Sequence, residues 1–437
     1  MARLTSAAMN DIGESGQPPS LWAATATPAP PTVPLDGAAD ADVVVVGAGL
    51  TGCSTALHLA ERGTSVILLE AREIGSGASG RNMGLVNPHF RVLPTQVSAL
   101  LGEELGGRMN AVFAAGGDTV FGLIKRHEIS CDAVRTGNIE ASFTKRGLAE
   151  LRATHDERLS LGAPFQWLAR DTLAEMTGCE RYAGGYIDRG AGGIQPLSYV
   201  RGLARAALGK GARIHTRGAV NTIAKLGDLW RVTTDRGQAT ARHVVVATDA
   251  YTEGVMPEIR AAMVPMWTHI GASEPLSPNL RRTIMPGGQS LGDNATVPRY
   301  YRIDRDGRLV VVTLGRAARS VLSPLSDWDR KAMSWAFPHT GAPKIVYRWQ
   351  GVLGISPNHL PFVHEPEPSF HVPLGYSGRG ITSATVMGKI LADRILGQPS
   401  EECPVPLSPL APAPYRLLHG RYYRAALYAG RLVSMVR

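Results

Sequence analysis

Asp42-Val-Val-Val-Val-Gly-Ala-Gly-Leu-Thr-Gly-Cys53 opens a stretch that closes on Ser65-Val-Ile-Leu-Leu-Glu70. Val43 to Val46 are four consecutive β-branched residues, the pattern of a strand buried on both faces of a parallel sheet. Gly47, Gly49 and Gly52 follow at once. In this setting the first glycine permits the tight turn, the second lets a pyrophosphate approach the backbone, and the third lets the helix pack close to the strand. Leu50 to Arg62 has helical composition, with free N–H groups at its start for phosphate oxygens, and Gly63 stops it. Ser65 to Leu69 reads as the next strand. Glu70, eighteen residues after Gly52, stands where a carboxylate accepts the ribose hydroxyls of an adenine nucleotide, with Ala71 and Arg72 beside it. Glycines alone would equally suit an ordinary turn in an α/β core. The order strand, turn, helix, strand, acid selects a dinucleotide site.

A second glycine-rich loop follows: Gly75-Ser-Gly-Ala-Ser-Gly-Arg-Asn82, then Met83-Gly84. Gly77, Ala78, Ser79, Asn82 and Met83 are placed to line a ligand, with Arg81 as a fixed positive charge. A nicotinamide site has no need of this second loop, whereas a longer cofactor such as FAD does. Near the other end of the chain, Phe370 to Leu374 reads as a strand, Gly375-Tyr-Ser-Gly-Arg-Gly380 as a third glycine turn, and Thr382 to Leu396 as a helix. Gly378, Arg379, Gly380, Ile381 and Thr382 would bring a helix N-terminus to the flavin end, a fixed donor for the negative charge that develops there on reduction.

Outward from these motifs, the chain divides. The expected fold is α/β: a discontinuous Rossmann-like FAD-binding domain (41–90, 190–260 and 345–397) carrying an inserted α+β substrate domain on an antiparallel sheet (91–189 and 261–344). Residues 1–40 are rich in Ala, Pro, Ser and Thr and read as a flexible or draped arm with Trp22 as its anchor. Leu229 to Thr234 and Gln238 to Ala241 read as a hairpin, and His243 to Ala247 as a separate buried strand. Residues 398–437 read as a Pro-rich linker and a basic helix, Tyr415 to Arg437, docked on the body or on a membrane surface.

The 437 residues suffice for more than one domain. The net charge of +9 is spread along the chain with no compact basic-aromatic cluster, which argues against nucleic acid. Four cysteines without a CxxC spacing form neither a disulfide framework nor a zinc site, and no metal is expected. No apolar h-region or run long enough to span a bilayer is visible, so a cytoplasmic protein is expected.

These landmarks resemble the D-amino-acid oxidase superfamily of FAD-dependent amine oxidoreductases, and most closely its γ-glutamylputrescine oxidase-like branch. The likeness is carried by Ser20-Leu-Trp22, Gly47 to Gly52, Gly77 to Asn82, Ser273-Glu-Pro-Leu276, Tyr300-Tyr-Arg302 with Asp306 to Leu309, and Gly375 to Gly380. It implies an enzyme that oxidises a C–N bond of a small-molecule amine or amino-acid derivative. Hydride would pass to flavin N5, the imine would hydrolyse, and O2 or another acceptor would reoxidise the flavin. Val220 and Ala247 fall at positions that contact the adenosine half. Relatives with a covalent flavin have Cys near Gly351, so noncovalent FAD is expected here. Relatives acting on small amino acids carry an Arg near Leu353 and a Lys near Thr382, both absent, which disfavours glycine, sarcosine or D-amino acids. Met83 stands where a glycine is usual, and Asn358 where an Asp is.

Candidate catalytic residues are Arg379, His269 and Tyr300. Arg379 and Arg81 would each stabilise reduced flavin or tie down a loop, and His269, Tyr300 and His89 compete with plain packing roles. Cys53, at a helix start, is either a lowered-pKa thiol or a buried packing residue. Two rival functions remain at this level: a tail-tethered dehydrogenase feeding a quinone chain, and a noncatalytic flavin-bound scaffold.

Overall fold

In the computed structural model the residues described are 17–315, 327–341 and 343–413. The expected basic helix from Tyr415 onward lies outside them. Val43–Val46 are fully or almost fully buried and sit in the middle of a sheet with strand order 362–364, 370–374, 237–246, 37–46, 66–69, 213–215. All of these run parallel except 362–364, which pairs antiparallel with 370–374. The register sets Val43 beside Val66 and His243, and Val46 beside Leu69 and Val246. Helices Leu50–Ala60 and Gly380–Ile395 pack together on one side. Ser54 Oγ donates to the Thr385 carbonyl at 2.7 Å, and a Cβ on Gly388 would come 2.7 Å from the Thr55 nitrogen.

The second sheet has the order 345–355, 264–275, 308–315, 299–303, 290–293, 138–142, 184–188, 165–169. It is antiparallel except where 290–293 meets 138–142. Its apolar face around Ile139, Leu291, Tyr301 and Val311 packs on the helix Trp328–Ala336. Its other face turns Ile270, Tyr300 and Val312 toward the parallel half.

Three expectations change. Gln238–Ala241 and His243–Ala247 are one strand, Gly237–Val246, because Arg242 interrupts the apolar run without breaking the ladder. That long strand recruits Gly37 to Ala41 as pairing partners, so the sheet begins inside what reads as arm. Ile345–Ile355 pairs along its length with Val264–Pro275, which puts it in the antiparallel sheet rather than with the segment 356–397.

The arm is pinned where it is described. Ser20 caps a short helix, Leu21–Thr25, by accepting from the Ala23 N–H. Trp22 is 1% exposed, stands edge-on to Trp349 at 5.8 Å, and donates its indole N–H to the Asn82 carbonyl at 2.8 Å.

Candidate active site

One cavity of about 500 Å³ lies between the two sheets. The first glycine turn (Gly47, Gly49, Leu50, Thr51), the second loop (Gly77, Ala78, Ser79, Asn82, Met83) and the last turn (Gly378, Gly380, Ile381) all line it. So do Glu70, Ala71, Arg72, Val220 and Ala247 at one end, and Met266, Thr268, Ile270, Tyr300, Val312 and Leu353 from the antiparallel sheet at the other.

The first turn has the geometry its glycines suggest. Gly47 has φ +104°, and a Cβ there would stand 2.9 Å from the Ala247 carbonyl oxygen. A Cβ on Gly52 would collide with the Gly47 carbonyl, so Gly52 sets strand-to-helix spacing and does not itself line the cavity. The Leu50 N–H donates to Ser79 Oγ at 2.9 Å, which joins the first turn to the second loop and leaves the hydroxyl hydrogen to donate elsewhere. Glu70 accepts from the Ala48 N–H at 2.8 Å and the Arg72 N–H at 3.0 Å. Burial pushes its carboxyl up from the ordinary range, and those two amides oppose the shift.

The residues fit FAD. The last turn holds a cradle that a side chain would fill: a Cβ on Gly380 meets nothing within 4 Å, and Gly378, at φ +83°, has only Leu353 and Arg91 near it. Helices Leu50–Ala60 and Gly380–Ile395 both begin at the cavity, so two positive helix ends face it. Thr51 Oγ1 and Tyr376 Oη, 2.7 Å apart, tie these ends together. Among the described residues no cysteine lines the cavity.

The named candidates divide. Tyr300 lines the cavity, 9% exposed. His269 does not: on its strand Thr268 and Ile270 face the cavity, and strand alternation sends the imidazole the other way, to Trp328 at 6.1 Å and beside Gly315. Arg379 does not line the cavity either; its Nη2 is 3.9 Å from Glu140 Oε1, behind the wall. Arg81 is 2% exposed, gives its Nε–H to the Ser76 carbonyl at 2.8 Å and lies 5.6 Å over the Tyr251 ring, which ties the second loop down. Asn82 holds that loop too, donating to the Ala78 and Ser79 carbonyls. Thr382 is buried, with Oγ1 unpartnered among the described residues. His89 is half-buried off the cavity and pushed down to about 3 by desolvation and by Arg158 and Arg379, so it is neutral. Cys53 is wholly buried and its thiol is pushed up, the packing alternative.

Two cavity residues carry no sequence signal of their own. Arg91 stands on the wall with Nη2 donating to Tyr300 Oη at 3.1 Å. Asp249 follows the central strand in the left-handed region, φ +43°, with Oδ1 buried and unpartnered among the described residues. Burial raises its carboxyl to about 6. The only local hint of it was a polar Thr-Asp after an apolar strand.

A family model described as FAD dependent oxidoreductase matches residues 42–394. Gamma-glutamylputrescine oxidoreductase of Escherichia coli (strain K12) is 32% identical over 384 residues, 86% of this chain and 89% of that protein. Probable oxidoreductase OrdL of Rhizobium meliloti (strain 1021) is 31% identical over 386 residues, 87% of this chain and 89% of that protein. Among solved structures, glycine oxidase from Geobacillus kaustophilus superposes with a TM-score of 0.69 at 21% identity, covering 83% of this chain and 96% of that one. L-amino acid deaminase from Proteus vulgaris, with its specific insertion deleted, gives 0.70 at 21% identity, covering 88% and 97%. At such identities the likeness is one of fold.

Proposed function

We propose a reaction from one premise: the chain belongs to the family of FAD-dependent oxidoreductases and is an enzyme that binds FAD. The reaction is oxidation of a C–N bond in an amine or amino-acid-derived substrate, with hydrolysis of the imine product. A primary or secondary amine is the substrate class, polyamine conjugates included, in keeping with the name of the Escherichia coli relative. The observation that carries this is that all three glycine turns open on a single cavity roofed by the antiparallel sheet.

The cofactor, when bound, supplies acceptance of the electron pair from the carbon bearing nitrogen. The chain supplies the rest. Glu70 offers carboxylate oxygens to ribose hydroxyls, and Val220 and Ala247 enclose the adenosine end. The two helix ends favour negative charge on phosphates and on the reduced ring. Met266, Ile270, Val312 and Leu353 line the substrate end and exclude water from it. An amine bound deprotonated needs no protein base, and neither His269 nor Arg379 reaches the cavity to act as one. The absence of any cavity-lining cysteine among the described residues supports a noncovalent cofactor.

O2 or another acceptor completes turnover. We place the enzyme in the cytoplasm, a reading supported by four cysteines that are all free. Among the described residues no helix is long and apolar enough to cross a membrane.

The test is anaerobic mixing of the yellow holoenzyme with a panel of amines while the visible flavin bands are recorded. Bleaching by at least one amine is expected. A flavin that dithionite reduces but no amine bleaches would overturn the proposal. Peroxide release in air then separates O2 from other acceptors.

A further inference from the structure

Among the described residues three carboxyls line the cavity: Glu70, Asp249 and Glu253. Arg72 answers two of them. It pairs with Glu253 at 3.2 Å, and its charge lowers the Glu70 carboxyl against the effect of burial. Asp249 has no such partner. It is half-buried, with Oδ1 wholly buried and unpartnered among the described residues, and its φ of +43° lies in the left-handed region. Thr252 holds that backbone: its Oγ1 donates to the Asp249 carbonyl at 2.8 Å and lies 2.6 Å from Thr248 Oγ1.

Ala247-Thr248-Asp249 runs from the first glycine turn to the last. At one end, a Cβ on Gly47 would meet the Ala247 carbonyl oxygen at 2.9 Å and Thr248 Cγ2 at 3.3 Å. At the other, the Gly375 N–H donates to the Asp249 carboxyl, and a Cβ on Gly354 of the roof would stand 3.3 Å from Oδ1. A ligand held by both turns therefore lies against this segment. The elements packed around it bring Tyr347 and Arg348 on strand Ile345–Ile355, Glu258 and Arg260 on helix Pro257–Ala262, and Tyr376 and Arg379 in the last turn. None of these cations acts on the Asp249 carboxyl, which answers only to its burial and to the amides of Ala250 and Gly375. Tyr376 is a phenol that burial and Asp249 push up, so it is neutral. FAD brings the negative charge of its diphosphate into this cavity. With no cation to pair it, an ionised Asp249 opposes that charge; as the acid it does not, and its hydroxyl hydrogen becomes a donor.

We propose that Asp249 belongs to the cofactor site as a neutral acid, so that the enzyme takes up a proton when it takes up FAD. This needs the cofactor but not the identity of the amine, and it does not rest on the oxidation proposed above. In the cofactor-free fold, burial has already raised the carboxyl to about 6. Negative charge in the cavity raises it further, so affinity is full below about pH 6 and falls as pH rises above it.

The test uses the full chain stripped of FAD, as wild type and as Asp249→Asn, whose amide mimics the neutral acid. FAD affinity is read by ultrafiltration near pH 6 and near pH 8, with far-UV circular dichroism at each pH to show that both proteins are folded. Between these limits the wild type should lose about ten- to hundredfold more affinity than Asp249→Asn, which keeps Glu70, His359 and every other titrating group of the cavity. Near pH 6 the two should agree to within about twofold. Titration calorimetry near pH 7.5, in buffers of different ionisation enthalpy, should show the wild type taking up about one proton more than the variant on binding FAD. The same pH slope in both proteins, equal proton uptake, or much weaker binding by Asp249→Asn near pH 6 would each overturn the assignment.

Discussion

Replacing Asp249 with Asn should stabilise the cofactor-free protein, and only above the acid range. Asp249 borders the cofactor cavity with Oδ1 buried and unpartnered among the described residues; the amides of Ala250 and Gly375 favour its ionised form but do not offset its burial. The net effect raises the carboxyl from 3.8 to about 6. Below about pH 4 the group is protonated whether the chain is folded or not, and contributes no difference. Above about pH 6 it is ionised in both states, and the fold carries the cost of the buried charge. Stability is therefore lost as pH rises between those limits. A shift of about two units corresponds to about 3 kcal/mol. Water in the open cavity screens the charge, so this is an upper bound. Asn has the same shape, tolerates the positive φ, and has no charge to bury. Urea unfolding of stripped protein, followed by tryptophan fluorescence, should show Asp249→Asn more stable by about 1 to 3 kcal/mol near pH 8 and equal to wild type near pH 4. A gain independent of pH, or a loss near pH 8, would refute the argument.

Glu70→Gln keeps the shape but sets an amide NH2 against the Ala48 or Arg72 N–H, and should raise the FAD dissociation constant about ten- to hundredfold, read by ultrafiltration, with little change in the far-UV spectrum. Trp22→Ala empties a fully buried site and removes the bond to Asn82; a loss of about 3 to 5 kcal/mol is expected, with faster release of FAD by stopped-flow fluorescence, whereas stability equal to wild type would mean the arm is dispensable. Gly388→Val forces a side chain against Ser54 and Thr55, away from the cavity; about 1 to 3 kcal/mol of destabilisation and weaker FAD binding are expected together, and destabilisation with unchanged FAD affinity would show that helix spacing does not set the site.

The cofactor half was legible because its signals are local. Val43 to Val46, three glycines and Glu70 fall within thirty residues and each answers to one element of the turn, so order along the chain is order in space. The substrate half was not. Arg91, Glu140 and Asp188 come from a loop and two strands that meet only when the antiparallel sheet forms, and no spacing announces them; Tyr300, which the resemblance did single out, joins them from a third strand. His269 fails for a narrower reason. Met266, Thr268 and Ile270 alternate with Trp267 and His269, and the sequence does not tell which set faces the cavity. Gly37 to Ala41 have poor strand composition and are extended only because the Gly237–Val246 strand runs on beside them.

The antiparallel sheet and the parallel half divide the work by the kind of interaction each can fix. Backbone groups at turns and helix starts would recognise phosphate and ring charge through N–H groups, which every residue but proline carries, so the requirement there falls on what is missing: side chains at Gly47, Gly49, Gly378 and Gly380. A sheet face recognises a substrate through side chains at alternate positions, so one exchange there alters chemistry without disturbing the fold. On the proposed reading the turns and helix starts hold the cofactor, and the choice of amine falls to roof side chains such as Met266, Ile270, Val312 and Leu353.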